Sequence, residues 1–191
     1  GAYGSSGGYS LYFASKKLDV TCSGYYMPDE KLISLHKKYH FQKYIKYCQV
    51  DASNIKCEEK FDIICFKSML GGIIGKWGID KVKIVLNEVY KSLNEGGYLV
   101  FSENLHSTEL HNYLRRIDKD DNWYYLTNDE INGLIDNKKF EIISQKTLGF
   151  LGCFGRNEYQ RSFLSLFDKL FFNHFIPSEY HYILFSVLKK I

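Results

Sequence analysis

Glycine is concentrated in the first eight residues of the chain, directly before a run, 11–17, whose composition favours a short helix. Glycine lets the backbone adopt a positive φ and lets a ligand approach without meeting a Cβ atom. The first amides of a helix are unpaired donors that attract anions. The segment 1–10 therefore predicts a site for an anion or a nucleotide, with a flexible glycine-serine linker as the alternative interpretation.

Side chains that hold charge or move protons follow the predicted strands of the chain. Asp51, Lys67, Glu103 and His106 each come shortly after an apolar run. A lysine, glutamate or histidine in such a position is a candidate general base, and Asp51 is a candidate ligand contact. The ordinary alternative is a solvated side chain or the cap of a turn or helix.

The first hundred residues alternate between short apolar runs and amphipathic segments. We predict strands over 18–23, 45–50, 61–66 and 98–101, and the run 61–66 is apolar enough for a strand buried on both faces of a parallel sheet. Such alternation predicts an α/β fold with a doubly wound, mostly parallel sheet. Ligands bind at the carboxyl ends of the strands in sheets of this kind.

Two helices are predicted between these strands. One begins at Pro28, since proline suits the first helical position and acids follow it. The other spans 79–93, where apolar residues recur at three- and four-residue intervals. We expect the run 94–97, Asn-Glu-Gly-Gly, to end this second helix, with a glycine available for a left-handed C-cap.

The pattern changes beyond residue 105. Thr127 begins a capping box that opens a helix, and another helix is predicted over 157–173. The runs 140–144 and 182–188 are predicted strands, and they suggest an antiparallel addition to the edge of the sheet. The apolar residues of the later helix are expected in the core, with a membrane or lipid surface as the alternative; they are Phe163, Leu164, Phe167, Leu170, Phe171 and Phe172.

Composition narrows the class of protein. The chain has 191 residues, of which 45% are hydrophobic and 25% charged, as expected of one globular domain. The net charge of +3 is too mild to indicate nucleic-acid binding, and no apolar run approaches the roughly 20 residues that a bilayer requires. The five cysteines include no C-x-x-C pair, so neither a disulfide framework nor a metal site is predicted. We expect a cytoplasmic protein without a nucleic-acid partner.

In their order and spacing these motifs resemble the class I S-adenosylmethionine-dependent methyltransferases, over nearly the whole chain. The segment 1–7 resembles the glycine loop of that family, Asp51-Ala52 its acid and small residue after the third strand, 61–64 its fourth strand, and 93–99 its helix-to-strand turn. The resemblance implies the sheet order 3-2-1-4-5-7-6. It also implies one domain over 1–191, with a cofactor-binding half over 1–105 and a C-terminal half over 106–191. A glycine loop normally follows strand 1, which we expect to lie largely outside this chain.

The resemblance implies S-adenosylmethionine as the cofactor. Asp51 would accept from the adenine amino group, and the amide of Ala52 would reach a ring nitrogen. Candidate catalytic residues are Glu103, His106 and Lys67. The cofactor-binding residues that it implies are Gly1, Ala2, Tyr3, Gly4, Gly7, Gly24, Tyr25, Asp51, Ala52, Phe66 and Lys67.

Gly24 departs from the family pattern. The second strand of these enzymes usually ends in an acid that holds both ribose hydroxyls, and this chain has glycine there. A hydrogen bond to a charged acceptor contributes about 1.5–3 kcal/mol, so the loss predicts affinity lower by about ten- to a hundredfold. Ser23, Tyr25 or a backbone group replaces the acid, or cofactor binding is weak or lost.

The function implied is methyl transfer to a small-molecule, saccharide or lipid acceptor. A non-catalytic methyltransferase-like binding domain is the alternative that Gly24 favours. A nicotinamide-dependent oxidoreductase leaves Asp51-Ala52 and the antiparallel end unexplained. A nucleobase methyltransferase would show an Asn/Asp-Pro-Pro-aromatic run where this chain has 67–70, Lys-Ser-Met-Leu.

Overall fold

The computed structural model describes residues 7–57, 59–117 and 123–191. The helices are α1 (Gly8–Ser15), α2 (Glu30–Lys38), α3 (Leu70–Trp77), α4 (Ile79–Ser92), α5 (Glu109–Ile117), α6 (Asn128–Leu134), α7 (Glu158–Phe167) and α8 (Asn173–Phe175). A π-helical turn, Asp168–Phe172, joins α7 to α8. The strands are β1 (Val20–Gly24), β2 (Ile45–Gln49), β3 (Phe61–Lys67), β4 (Leu93–Asn104), β5 (Phe140–Leu148) and β6 (Ile183–Lys190).

The strands form two sheets. β1 and β2 pair in parallel, and the larger sheet has the order β3-β4-β6-β5. β3 and β4 are parallel, whereas β6 runs antiparallel to both β4 and β5. The predicted α/β class and its antiparallel edge are confirmed. Among the described residues no strand pairs with both sheets. The central strand of the expected order, and its pairing with β1 and β3, therefore stay a prediction.

β3 differs from the prediction of a strand buried on both faces. Ile63 is 40% exposed, while Phe66 is buried and its ring stacks on Phe101 at a centroid distance of 5.2 Å. β3 is the last strand of its sheet, and a strand with a neighbour on one side only keeps part of its surface open to solvent. The apolar run 61–66 therefore predicts the strand correctly but not its burial on both faces.

Each sheet has its own core. The larger core lies between the four-stranded sheet and α4, whose predicted face buries Val82, Val85 and Val89. The smaller core joins α1 and α2 to the two-stranded sheet through Ala14, Cys22, Leu32 and Ile45. The segment after β2 reaches the larger core, because Ala52 and Ile55 pack against it.

Two helix ends lie elsewhere than predicted. Asp29, and not Pro28, marks the start of α2, because its carboxylate accepts the Leu32 amide at 2.8 Å as an N-cap. α4 ends at Ser92 and β4 begins at the next residue, so Gly96 is no C-cap. Its φ of 72° falls where β4 shifts register against β3, and a left-handed residue is typical of such an irregularity.

Helix α3 was not predicted, because its Leu-Gly-Gly-Ile sequence has poor helix propensity. The structure gives a tertiary reason for the glycines. The backbone carbonyl of Tyr124 and the indole of Trp123 lie against the Cα of Gly71, where a Cβ would clash with both. The Gly71 carbonyl also accepts the Tyr124 amide at 3.2 Å. Close packing of the segment 123–126 thus selects glycine inside a helix.

The apolar residues of the predicted helix 157–173, which forms α7 and the π-helical turn, do not pack in the core as predicted. Phe163, Leu170 and Phe171 are each more than half exposed. The inward side of the helix is instead formed by half-buried Leu164 and buried Asp168.

We expect opposite effects from alanine at two helical glycines. Gly71→Ala places a Cβ against the Tyr124 carbonyl, and overpacking of this kind costs about 1–3 kcal/mol. Gly133→Ala in α6 meets no atom within 4 Å, and alanine in a helix is favoured over glycine by about 0.5–1 kcal/mol. Urea unfolding monitored by circular dichroism measures both. Equal stability of the two variants would contradict the close packing at Gly71.

Candidate functional site

The carboxyl ends of the parallel strands hold most of the predicted site. β1 ends at Gly24 and β2 at Gln49, and the next amide, that of Val50, donates to the Gly24 carbonyl at 2.8 Å. In the larger sheet β3 ends at Lys67 beside Ser102 of β4. This is the edge at which ligands bind in open α/β sheets.

Only the last glycine of the predicted loop lies in the described part of the chain. Gly1, Ala2, Tyr3 and Gly4 fall outside the described residues. Gly7 is the N-cap of α1 with φ 58° and ψ 30°, a left-handed conformation that glycine adopts without strain. The first amides of a helix are unpaired donors that can meet an anion.

His36 supports this loop and was not singled out by the sequence. Its side chain is fully buried, with Nε2 3.3 Å from the Gly7 carbonyl and Nδ1 3.0 Å from the Tyr47 hydroxyl. A carbonyl only accepts, so Nε2 carries the proton and Nδ1 accepts from Tyr47. Burial lowers the pKa of His36, which favours the neutral ring. A Cβ on Gly7 would lie 2.6 Å from this imidazole, so the glycine also permits α1 to pack on α2.

Asp51 follows β2 in a turn that it caps itself. Its Oδ1 accepts the Ser53 amide at 2.8 Å and the Ser53 hydroxyl at 2.7 Å. These bonds lower the pKa of Asp51, so the carboxylate is ionised at neutral pH. Both bonds fall on Oδ1 and the residue is exposed, which leaves the second oxygen accessible to a donor. The neighbouring Ala52 is half-buried against the larger core.

Gly24 and Tyr25 close the end of β1. Gly24 is buried, whereas Tyr25 is about half exposed. The Tyr25 ring contacts Tyr26 edge-on at 5.1 Å and lies 6.0 Å from the ring of Trp77 at the end of α3. The rings of Tyr25, Tyr26 and Trp77 therefore lie beside the end of β1, where the resemblance predicts a ribose contact.

The turn after β3 is held in an unusual conformation. Ser68 has φ 51°, which costs energy for a residue with a Cβ and persists only where its surroundings fix it. Its amide donates to the Ser102 carbonyl at 2.8 Å, and its hydroxyl accepts from the Asn104 amide group at 3.1 Å. Lys67 beside it is exposed, and the Phe66 side chain is buried in the core. Phe66 can thus meet a ligand only through its backbone.

Glu103 lies behind this turn and not on its open side. It is 1% exposed, and its Oε1 accepts the amides of Met69 at 2.5 Å and Leu70 at 2.8 Å. The carboxylate therefore caps the N-terminus of α3, where a negative charge is favoured. Burial outweighs these bonds and raises the pKa of Glu103 to about 7. Such a buried cap is remote from a methyl acceptor in solvent.

His106 lies on the surface beyond β4. Its side chain is 43% exposed, and its Nε2 accepts from the side-chain amide of Asn112 at 2.8 Å. The same nitrogen lies 3.8 Å from a carboxylate oxygen of Glu109. His106 is therefore more accessible than Glu103, although its Nε2 lone pair already has a donor.

A hydrogen bond links helix α1 to strand β4 at this edge. The hydroxyl of Tyr9 in the first turn of α1 lies 3.3 Å from the Ser102 hydroxyl of β4. Because the Ser102 carbonyl accepts the Ser68 amide, this contact brings the first turn of α1 next to the Ser68 turn. Among the described residues no group of three or more His, Cys, Asp or Glu side chains is placed to hold a metal ion.

Solved structures share the fold of this chain. A SAM-dependent methyltransferase from Methanosarcina mazei matches with a TM-score of 0.62 at 17% identity, over 97% of this chain and 88% of its own. The N-methyltransferase NodS from Bradyrhizobium japonicum WM9, in complex with S-adenosyl-L-homocysteine, matches with a TM-score of 0.58 at 12% identity, over 97% and 73%. The [4+2]-cyclase SpnF matches with a TM-score of 0.62 at 12% identity, over 97% and 71%.

This chain has the class I methyltransferase fold. The likeness is one of fold, since the identities lie far below those of close relatives. No protein-family model and no curated protein matches the sequence. The roles of the individual site residues remain predictions.

We expect the stability of the protein to depend on pH through Glu103. A pKa near 7 in the folded state, against an ordinary value of 4.5, means that the folded protein holds this proton more tightly than the unfolded chain. The resulting stabilisation is complete below about pH 4.5 and is lost as pH rises through 7, by about 3 kcal/mol. Glu103→Gln should lack this loss.

Denaturant unfolding at a series of pH values measures the difference between wild type and Glu103→Gln. Glu141→Gln on β5, whose side chain is exposed, is the matched control and should follow wild type. Parallel curves for wild type and Glu103→Gln would show that the carboxyl of Glu103 has an ordinary pKa.

Proposed function

We propose that this protein is an S-adenosylmethionine-dependent methyltransferase that acts on a small-molecule, saccharide or lipid acceptor. The observation that carries the proposal is the likeness of 97% of the chain to NodS, an N-methyltransferase whose structure contains S-adenosyl-L-homocysteine. The site supports it with an ionised carboxylate, a left-handed glycine at a helix N-terminus and a strained serine turn, all near strand ends.

These residues suit the polar groups of such a cofactor. Asp51 offers an ionised acceptor for an amino group, and the amide of Ala52 lies next to it in the chain. Gly7 precedes the first turn of α1, whose Tyr9 hydroxyl contacts Ser102 of β4. Phe66 would contribute only its backbone, because its side chain is buried. Lys67 would contribute the next backbone group. Bound S-adenosylmethionine would supply a methyl group on a sulfonium sulfur.

The protein's own part in the reaction is chiefly to position the acceptor and to exclude water. A base is needed only where the acceptor must lose a proton. Of the three candidates, Lys67 and His106 are exposed to an acceptor, whereas the Glu103 carboxylate is buried under α3. We assign a proton-accepting role to Lys67 or His106 and a positioning role to Glu103.

Gly24 supports a second candidate function, a binding domain without methyl transfer. A glycine offers no carboxylate for the ribose hydroxyls, and the aromatic ring of Tyr25 stands next to it. The fold also serves other chemistry, since SpnF is a [4+2]-cyclase. Cofactor binding distinguishes the two functions from each other before any acceptor is known.

Calorimetric titration with S-adenosylhomocysteine tests the proposal through Asp51. Asp51→Ala should weaken binding by about ten- to a hundredfold, because a charged acceptor contributes about 1.5–3 kcal/mol to a hydrogen bond. An analogue without the adenine amino group should bind wild type and Asp51→Ala equally. Absence of binding to wild type would refute the methyltransferase.

Ser53→Ala is the control for the turn. It removes the hydroxyl that donates to Asp51 but keeps the carboxylate, so it should bind S-adenosylhomocysteine as wild type does. If Ser53→Ala and Asp51→Ala weaken both ligands alike, Asp51 shapes the turn and does not contact adenine.

Gly24→Asp should strengthen cofactor binding. The substitution restores a carboxylate at the end of β1, where two ribose hydroxyls would donate to it. We expect affinity to rise by about tenfold or more, with the fold unchanged by circular dichroism. Unchanged or weaker affinity in the folded variant would mean that another group already holds the ribose.

A further inference from the structure

The helical segment 158–175 exposes an apolar surface that the described residues leave open. We call this surface the outer apolar face. Its members range from 51% to 90% exposed, and most of them recur at three- and four-residue intervals along α7, the π-helical turn and α8. They are Tyr159, Phe163, Leu166, Leu170, Phe171 and Phe175. Contiguous exposed apolar residues in such number mark an interaction site.

Polar contacts hold the segment in place and leave this face outward. Buried Asp168 accepts the amides of Leu151 at 2.7 Å and Gly152 at 2.8 Å. The Asn173 side chain accepts the Gly149 amide at 2.8 Å. The loop 149–152 therefore fixes the inner side of the segment. This fixed orientation leaves the outer apolar face exposed.

Basic residues accompany the outer apolar face. Arg156 precedes α7, Lys169 lies between the apolar positions, and both are exposed. Arg161 is also exposed, with its Nε donating to the Gly155 carbonyl at 3.0 Å. The acids within 156–175 are Glu158 and Asp168, and Asp168 is buried. The segment 156–175 thus has three Lys or Arg residues and two acids, one of them buried, beside an aromatic face. Amphipathic aromatic elements with exposed cations lie in membrane interfaces.

We propose that the outer apolar face docks on an anionic lipid bilayer, with the helical axis in the plane of the membrane. The segment would insert its aromatic and leucine side chains among the acyl chains, and Arg156 and Lys169 would meet lipid phosphates. No helix in the described part of the chain is long and apolar enough to cross a bilayer, so this contact is peripheral. The proposal is independent of the cofactor site.

Co-sedimentation with vesicles tests the proposal on the full chain. Wild type should bind vesicles of phosphatidylcholine and phosphatidylserine more strongly than vesicles of phosphatidylcholine alone. Phe163→Ser/Leu170→Ser should reduce binding about tenfold or more. Its control is Ile79→Ser/Ile84→Ser, which removes two similarly exposed apolar side chains of α4 and should bind as wild type.

The charge contribution is tested with Lys169→Glu, for which Lys37→Glu on α2 is the control. Lys169→Glu should lose severalfold in affinity for phosphatidylserine vesicles and little for phosphatidylcholine alone. An independent measurement uses Phe163→Trp, whose added fluorescence should be quenched by brominated phosphatidylcholine, whereas that of Ile84→Trp should not.

Two results would overturn the proposal. One is vesicle binding by Phe163→Ser/Leu170→Ser equal to that of wild type. The other is a wild-type dimer in sedimentation equilibrium that the same double variant converts to monomer, without any effect on vesicle binding. The second result would identify the face as a contact between two copies of the chain.

Discussion

The carboxylate of Glu103 at the N-terminus of α3 fixes the architecture of the candidate site. Its Oε1 accepts two successive amides of the helix start, which ties β4 to the chain that leaves β3. The Ser68 turn lies between the end of β3 and the start of α3. Hydrogen bonds to Ser102 and Asn104 hold Ser68 in its left-handed conformation. A buried acid, a strained serine and a strand pair thus form one unit, and a ligand at this edge meets a preorganised backbone.

The smaller sheet is attached to this unit through α1 and the aromatic residues near the strand ends. Tyr9 reaches Ser102 from α1, and Tyr25 meets Trp77 from the end of β1. Each contact is made at the carboxyl edge, where the proposed cofactor would also bind. A ligand that touches both Asp51 and the Ser68 turn would add to the interactions that join the two sheets. Ligand binding and stability are linked in this way whenever the ligand binds the folded state alone.

The C-terminal half is organised by buried polar groups as much as by apolar packing. Asp168 in the π-helical turn and Asn173 at the start of α8 bind the backbone of the loop 149–152, and π-helical turns are frequent at functional sites. The polar inner side keeps the apolar residues of the segment available to a partner. Apolar character and core position are therefore separated in this helix.

Sequence patterns alone predict the alternation of strands and helices, the amphipathic face of α4, the capping box at Thr127 and the antiparallel edge. These features depend on local periodicity and on capping chemistry, which act over a few residues. Tertiary structure decided the features that depend on distant neighbours. Position 71 requires glycine because the Tyr124 carbonyl lies against it. Ile63 is exposed because β3 is an edge strand. Glu103 is a buried cap, and the outer apolar face is exposed, because burial is a property of what packs alongside a residue and not of the residue itself.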